Sequence, residues 1–240
     1  GFSFQLHGPG GIQLDAGVAL PGRFNIANAA LALAMLNTAK VEAAATVQGV
    51  RACAGVPGRM EPIDAGQDFL ALVDYAHTPD ALTAALSSLA RDVDGRLIVV
   101  MGCGGDRDPS KRFAMGQVAA QQADMVIVTD DNPRSESPRQ IREAVLVGAH
   151  SGATGRSATV EEIAGRGAAI RRAVGLARGE DVVVVAGKGH EQGQEIDGHV
   201  YPFDDRVVLR DALIARKDVG GGVATSAADP EDHRGHQEEI

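Results

Sequence analysis

The strongest constraint on the fold is a pattern that occurs three times: a short, wholly apolar run that ends in a glycine-rich or charged loop. Leu97-Ile98-Val99-Val100-Met101 runs into Gly102-Cys103-Gly104-Gly105-Asp106-Arg107-Asp108. Met125-Val126-Ile127-Val128 leads to Asp130-Asp131-Asn132-Pro133-Arg134, and Val182-Val183-Val184-Val185-Ala186 to Gly187-Lys188-Gly189-His190-Glu191. Runs without polar alternation suit strands buried on both faces, as in a parallel sheet covered by helices. A fourth strand is expected over 69–73, before Asp74-Tyr75-Ala76-His77-Thr78-Pro79. In an open parallel sheet the loops at the carboxyl ends of neighbouring strands share one crevice. Loops carrying Arg, Asp, Asn and Glu are therefore expected to converge on one small molecule with both positive and negative groups.

Helices are expected between these strands, over 79–90, from near Pro109, over 138–149 and over 205–217. Thr159, with Glu162 three residues on, reads as the capping box of a further helix whose apolar face is Ile163, Ile170, Val174 and Ala177. A short hairpin is expected around Asp197-Gly198. Upstream the rhythm differs. Residues 1–20 alternate around Gly8-Pro9-Gly10-Gly11 as a β-hairpin, and helices follow over 25–38 and 41–53. Gly55-Val56-Pro57-Gly58-Arg59 breaks the pattern as a linker. The expected domains are 1–59 and 60–217, with a disordered tail over 218–240 that has almost nothing to bury.

Composition narrows the function classes. A net charge of -9 and 3% aromatic residues argue against nucleic-acid binding, which favours a basic face and stacking rings. No apolar run approaches the roughly 20 residues of a membrane span. Cys53 and Cys103 give neither a disulfide framework nor a paired metal motif, so a reducing cytoplasm is expected.

Each motif has a plain alternative. Asp131-Asn132-Pro133-Arg134 is built from ordinary turn residues, although an arginine at a strand end offers a planar fork that fits a carboxylate. The 102–108 loop lacks both the G-x-G-x-x-G spacing of dinucleotide sites and the closing Lys-Ser/Thr of a P-loop. It is either a tight turn with surface salt bridges or a ligand loop with Asp106, Arg107 and Lys111 as contacts. Glu191 suits an ammonium group, whereas a lone His190 reads as structural. Asp74 can hold ribose hydroxyls or simply start a helix. Arg59 is either solvated or reaches a phosphate across an interdomain cleft, and Cys103, with no base partner, is a spectator.

Taken together, Gly22-Arg23-Phe24-Asn25 with Asn28, Gly58-Arg59-Met60-Glu61, Asp74-Tyr75-Ala76-His77-Thr78-Pro79, Gly104-Gly105-Asp106-Arg107-Asp108 with Lys111-Arg112, Asp131-Asn132-Pro133-Arg134 and Gly187-Lys188-Gly189-His190-Glu191 occur in the order seen in one family. Over roughly residues 1–216 the chain resembles the C-terminal part of the Mur ligases, specifically those that add meso-diaminopimelate. The resemblance implies an α/β fold: a Rossmann-like, mainly parallel sheet with helices on both faces, preceded by the end of the central ATP-binding domain. It implies an ATP-driven amide ligation in peptidoglycan precursor synthesis. The D-Glu carboxyl of UDP-MurNAc-L-Ala-D-Glu becomes an acyl phosphate, and an amino group of diaminopimelate displaces the phosphate. By the same resemblance Arg107 and Arg134 hold carboxylate, and Asp131, Asn132, Pro133, Gly187 and Glu191 position the rest of the amino acid. Asn28, Arg59, Asp74 and His77 fall on the nucleotide side.

Phe113 departs from the family, where Pro follows Lys111-Arg112. No Gly-x-x-Gly-Lys-Thr/Ser loop is present, so this chain alone is not expected to catalyse ligation. ATP and Mg2+ are the implied cofactors, with the Mg2+ ligands outside this chain and no certain catalytic or metal residue within it. The implied partners are meso-diaminopimelate, ATP and UDP-MurNAc-L-Ala-D-Glu, with no nucleic acid, no membrane insertion and a monomeric state. The alternatives are a stand-alone amino-acid-binding or regulatory module, and a folylpolyglutamate or cyanophycin synthetase relative, against which Asp131-Asn132-Pro133-Arg134 argues. A nucleotide-dependent dehydrogenase is disfavoured by the glycine spacing.

Overall fold

The computed structural model describes residues 1–91 and 93–221. The N-terminal alternation forms an antiparallel hairpin, β1 (Phe2–His7) and β2 (Gln13–Val18), packed on α1 (Phe24–Thr38) and α2 (Ala43–Arg51). Glu42 caps α2, its carboxylate accepting from the Ala44 and Ala45 amides at 2.9 and 2.7 Å.

Beyond the linker come β3 (Glu61–Pro62), β4 (Leu70–Asp74), α3 (Pro79–Leu89), β5 (Leu97–Met101), α4 (Lys111–Gln122) and β6 (Met125–Val128). They are followed by α5 (Pro138–Ala153), β7 (Thr159–Glu162), α6 (Arg166–Leu176), β8 (Val182–Ala186), β9 (Gly193–Ile196), β10 (His199–Pro202) and α7 (Asp205–Gly221). Six strands make one sheet in the order β3-β4-β8-β5-β6-β7, parallel except for β3, which runs antiparallel to β4. The fold is thus α/β with a mainly parallel sheet. The apolar runs are central because every second side chain meets a different layer. Leu72, Val99, Met101, Val126, Val128 and Val184 pack with α3, α4 and α5. Ala71, Val73, Ile98, Val100, Ile127, Val183 and Val185 pack with α6 and α7. Helices α4 and α5 touch closely, since a Cβ on Gly148 would collide with the Phe113 carbonyl.

Strand β8 is the last of the sheet in sequence, yet it lies between β4 and β5. The chain therefore runs outward from β5 to β7 and returns to the centre. The carboxyl ends of β4, β8, β5 and β6 lie side by side, so the loops after Asp74, Ala186, Met101 and Val128 meet there. That is the crevice expected of this topology.

Two expectations are corrected. Residues 159–162 are a strand, not a capped helix start. Parallel pairing of Thr159–Glu162 with Met125–Val128 captures the backbone, and Gly165, at φ +83°, delays the helix to Arg166. The helical face nonetheless holds Ile170 and Val174, with Ala177 just beyond the last turn. The closing helix extends to Gly221, so the expected tail does not begin at 218; the remainder of it, 222–240, lies outside the described residues.

Candidate functional site

The four loops enclose a cavity of about 330 Å³ lined by Arg107, Asp131, Asn132, Arg134, Gly187 and Glu191, together with Tyr75, His77 and Lys111. Six of the seven residues expected at an amino-acid site thus line one cavity. Pro133 is buried behind it and does not line the cavity; it shapes the turn that delivers Arg134. Gly105 allows this turn to press close, because a Cβ there would strike the Pro133 carbonyl. The Gly105 amide donates to the Asn132 carbonyl at 2.8 Å, which joins the loops after β5 and β6.

Three charged side chains cover different parts of the cavity. The Arg134 guanidinium donates from Nη1 to the Gly105 carbonyl at 2.7 Å and from Nε to Glu195 Oε2 at 3.0 Å. Arg107 is exposed at the rim. Among the described residues Glu191 uses one oxygen internally. Its Oε2 accepts from Asn132 Nδ2 at 2.9 Å and from Lys188 Nζ at 3.0 Å. Lys188, fully buried, also donates to Asn132 Oδ1 at 2.8 Å, and the Glu195 amide donates to the same oxygen at 3.0 Å. Asn132 is therefore the hub of a polar frame, and Glu191 Oε1 is the oxygen left for a guest. Chemically, the cavity offers both guanidinium donors and a carboxylate acceptor.

The adjacent aspartates divide the work. Asp130 is taken up by neighbouring elements: its carboxylate accepts from Arg142 Nη1 and, at 2.9 Å, from the Gly165 amide. Asp131 lines the cavity and accepts the Asn132 amide on its own Oδ1 at 2.7 Å. Beneath them Arg166 is fully buried and pairs with the equally buried Asp205 through two bonds of 2.7 Å. It also donates to the Ala186 carbonyl at 2.9 Å, and its Nη1 lies 3.9 Å from Asp131 Oδ2. Burial works against the Arg166 charge, but Asp205, joined by Asp131 and Glu191, outweighs it and holds the pKa above the ordinary arginine value. Cys103 lines the cavity as an inert thiol. Burial, reinforced by the Asp131 carboxylate, pushes its pKa up to about 12.

A second cavity of about 480 Å³ opens between α1, the linker and α3. Asn28, Arg59 and Asp74 all line it, among apolar walls that include Phe24, Val56 and Ala85. Asn25 accepts from Asn28 Nδ2 at 3.1 Å and itself donates to the Pro21 carbonyl at 2.7 Å. Asp74 is buried and already accepts the Met60 and Ala76 amides, each at 2.8 Å. His77, expected with these residues, lines the first cavity instead. Tyr75 joins the two sites, with the Arg59 guanidinium 4.5 Å above its ring and the His77 and His190 rings 4.5 and 5.5 Å away. Lys188, Glu195, Arg166 and Asp205 were not singled out from sequence. Lys188 stood inside a quoted motif but read as one more charge beside glycines; the other three carry no local signal.

Comparison with known proteins fits this geometry. Residues 58–189 match the family model for the Mur ligase, glutamate ligase domain. The UDP-N-acetylmuramoyl-L-alanyl-D-glutamate--2,6-diaminopimelate ligase of Corynebacterium glutamicum is 53% identical over 213 residues, covering 88% of this chain and 41% of that protein. A solved structure of a ligase of the same name superposes with a TM-score of 0.68 at 41% identity, covering 90% of this chain and 43% of that one. A bifunctional folylpolyglutamate synthase/dihydrofolate synthase with Mn, AMPPNP and L-glutamate bound matches at 27% identity and a TM-score of 0.53, covering 74% of this chain and 40% of that one. The chain thus spans about two-fifths of the length of these relatives.

Proposed function

Because the chain belongs to the Mur ligase family, we propose that it forms the amino-acid-binding end of an ATP-dependent ligase that joins meso-diaminopimelate to UDP-MurNAc-L-Ala-D-Glu in peptidoglycan precursor synthesis. The observation that carries this reading is that Arg107 and Arg134 line one cavity together with Asp131 and Glu191. Diaminopimelate has a carboxylate and an ammonium at each end. Lysine has only an ammonium at its far end and would leave an arginine fork unmatched. An arginine desolvated without its carboxylate costs several kcal/mol, which favours diaminopimelate over lysine.

In this reading the free N–H groups of Arg134 and the exposed fork of Arg107 take carboxylate, and Glu191 Oε1 takes ammonium. Asn132 and Gly187 fix the wall against which the carbon chain lies, and Pro133 sets the turn. The division into an ATP-binding remnant, 1–59, and the domain from 60 onward belongs to the same proposal. So do a cytoplasmic, monomeric protein and a nucleotide at Asn28, Arg59 and Asp74. The second cavity fits a nucleotide: its apolar walls suit a planar base, and the Asn28 amide, braced by Asn25, is placed to read a base edge. Asp74 keeps a second lone pair on each oxygen for ribose hydroxyls. His77 stands between the two cavities, stacked on Tyr75. Bound ATP supplies the phosphoryl group that activates the acceptor carboxyl. Among the described residues no group of three His, Cys, Asp or Glu side chains could hold a metal. No helix among the described residues is long and apolar enough to cross a membrane.

Calorimetric titration with meso-diaminopimelate and with L-lysine, on the wild type and Arg134→Ala, tests the proposal. Diaminopimelate is expected to bind and lysine to bind far more weakly, with Arg134→Ala losing about 10- to 100-fold in diaminopimelate affinity. Equal affinity for the two amino acids, or full affinity in the variant, would refute it.

A further inference from the structure

Arg134 is held from the side by a hairpin that lies outside the recognised motifs. It is a non-glycine residue at φ +52°, a conformation that persists only where the surroundings impose it. The β9–β10 hairpin imposes it. The Arg134 amide donates to the Glu195 carbonyl at 3.0 Å, the Asp197 amide donates to the Arg134 carbonyl at 2.8 Å, and Arg134 forms a parallel bridge with Ile196. Gln194 Nε2 adds a bond of 2.6 Å to the Asp131 carbonyl, so the hairpin grips the whole loop.

The side chain is fixed as firmly as the backbone. Glu195 Oε2 takes the Nε proton and the Gly105 carbonyl takes one Nη1 proton, which pins the guanidinium plane at two corners. Of the five N–H donors of an arginine, the remaining Nη1 proton and both Nη2 protons are left. We propose that Glu195 is the positioning residue of the amino-acid site: it turns the Arg134 fork so that its Nη edge meets the ligand carboxylate. This rests on the reading that Arg134 takes that carboxylate. Glu195 has two opposed effects, since its negative charge also repels a carboxylate. Its side chain is 39% exposed, so water and salt screen the repulsion, whereas the fixed orientation of the fork is not screened.

Glu195→Ala removes the carboxylate and leaves the two backbone bonds between the hairpin and Arg134 in place, and Glu195→Gln keeps an acceptor oxygen without the charge. By calorimetry, Glu195→Ala is expected to bind meso-diaminopimelate about tenfold more weakly at an unchanged melting temperature, as a lost charge-assisted bond requires. Glu195→Gln is expected to restore affinity to within about threefold of wild type. Alanine-variant binding as tight as wild type or tighter, or a glutamine variant as weak as the alanine one, overturns the proposal. A second measurement needs no ligand. The Arg134 Nε–H resonance, identified by its loss in Arg134→Lys, is expected to exchange slowly with solvent in the wild type and Glu195→Gln and rapidly in Glu195→Ala. Unchanged protection in Glu195→Ala also overturns it. If the wild type does not bind diaminopimelate, the functional reading fails and the exchange comparison still decides the role of Glu195.

Discussion

A fully buried arginine is tolerable only where its charge is met, and Arg166 meets it through Asp205. The pair stands under the cavity floor, and its other bonds run to the ends of β8 and β6 through the Ala186 and Asp130 carbonyls. Asp205→Ala would strand the cation. It is expected to lower stability by about 3–5 kcal/mol, read from urea unfolding of the variant against wild type; a loss below about 1 kcal/mol would contradict the pairing. At this scale the sequence was legible where chemistry clusters. Asp131, Asn132 and Arg134 stand in a turn soon after one apolar run, and Glu191 stands in a glycine-containing loop after another. Arg166, Asp205 and Glu195 sit singly on two helices and a hairpin, and only the tertiary fold brings them to the site.

At the scale of elements, the central strands follow from their apolar runs almost to the residue, because nothing but burial on both faces suits them. Edge strand β7 was misread. Thr159 and Glu162 have capping-box spacing, and only the register against β6 shows that the backbone pairs instead. The amino ends of the central strands β8 and β5 are tied together by Asp181. It accepts the Arg96 amide and Nη2, each at 2.7 Å, and the Arg178 amide at 2.9 Å. Burial raises its pKa, but the Arg96 fork and the two amides outweigh this and leave it below the ordinary aspartate value. A lowered folded-state pKa contributes stability that is complete above the unfolded value, about 3.9, and is lost as pH falls through the folded value. Melting temperatures of wild type and Asp181→Asn are therefore expected to differ by a constant amount above about pH 5 and to converge below about pH 4. A gap that widens with acid would contradict this.

At the scale of the molecule, the account joins two cavities across a linker. Met60 donates its amide to Asp74, a Cβ on Gly58 would collide with the His190 amide, and Arg59 stacks on Tyr75 between the two sites. The linker was legible from its glycines and proline; that it packs against the β8 loop was not, because the contact depends on β8 lying beside β4. Amino acid and nucleotide are thus proposed to sit on opposite sides of one aromatic residue. The most direct test is a crystal structure of this chain with meso-diaminopimelate. The account predicts a ligand carboxylate within hydrogen-bond distance of Arg134 Nη2 and an ammonium on Glu191 Oε1. A ligand bound in the Asn28 cavity, or one in the first cavity with an ammonium facing Arg134, would contradict it.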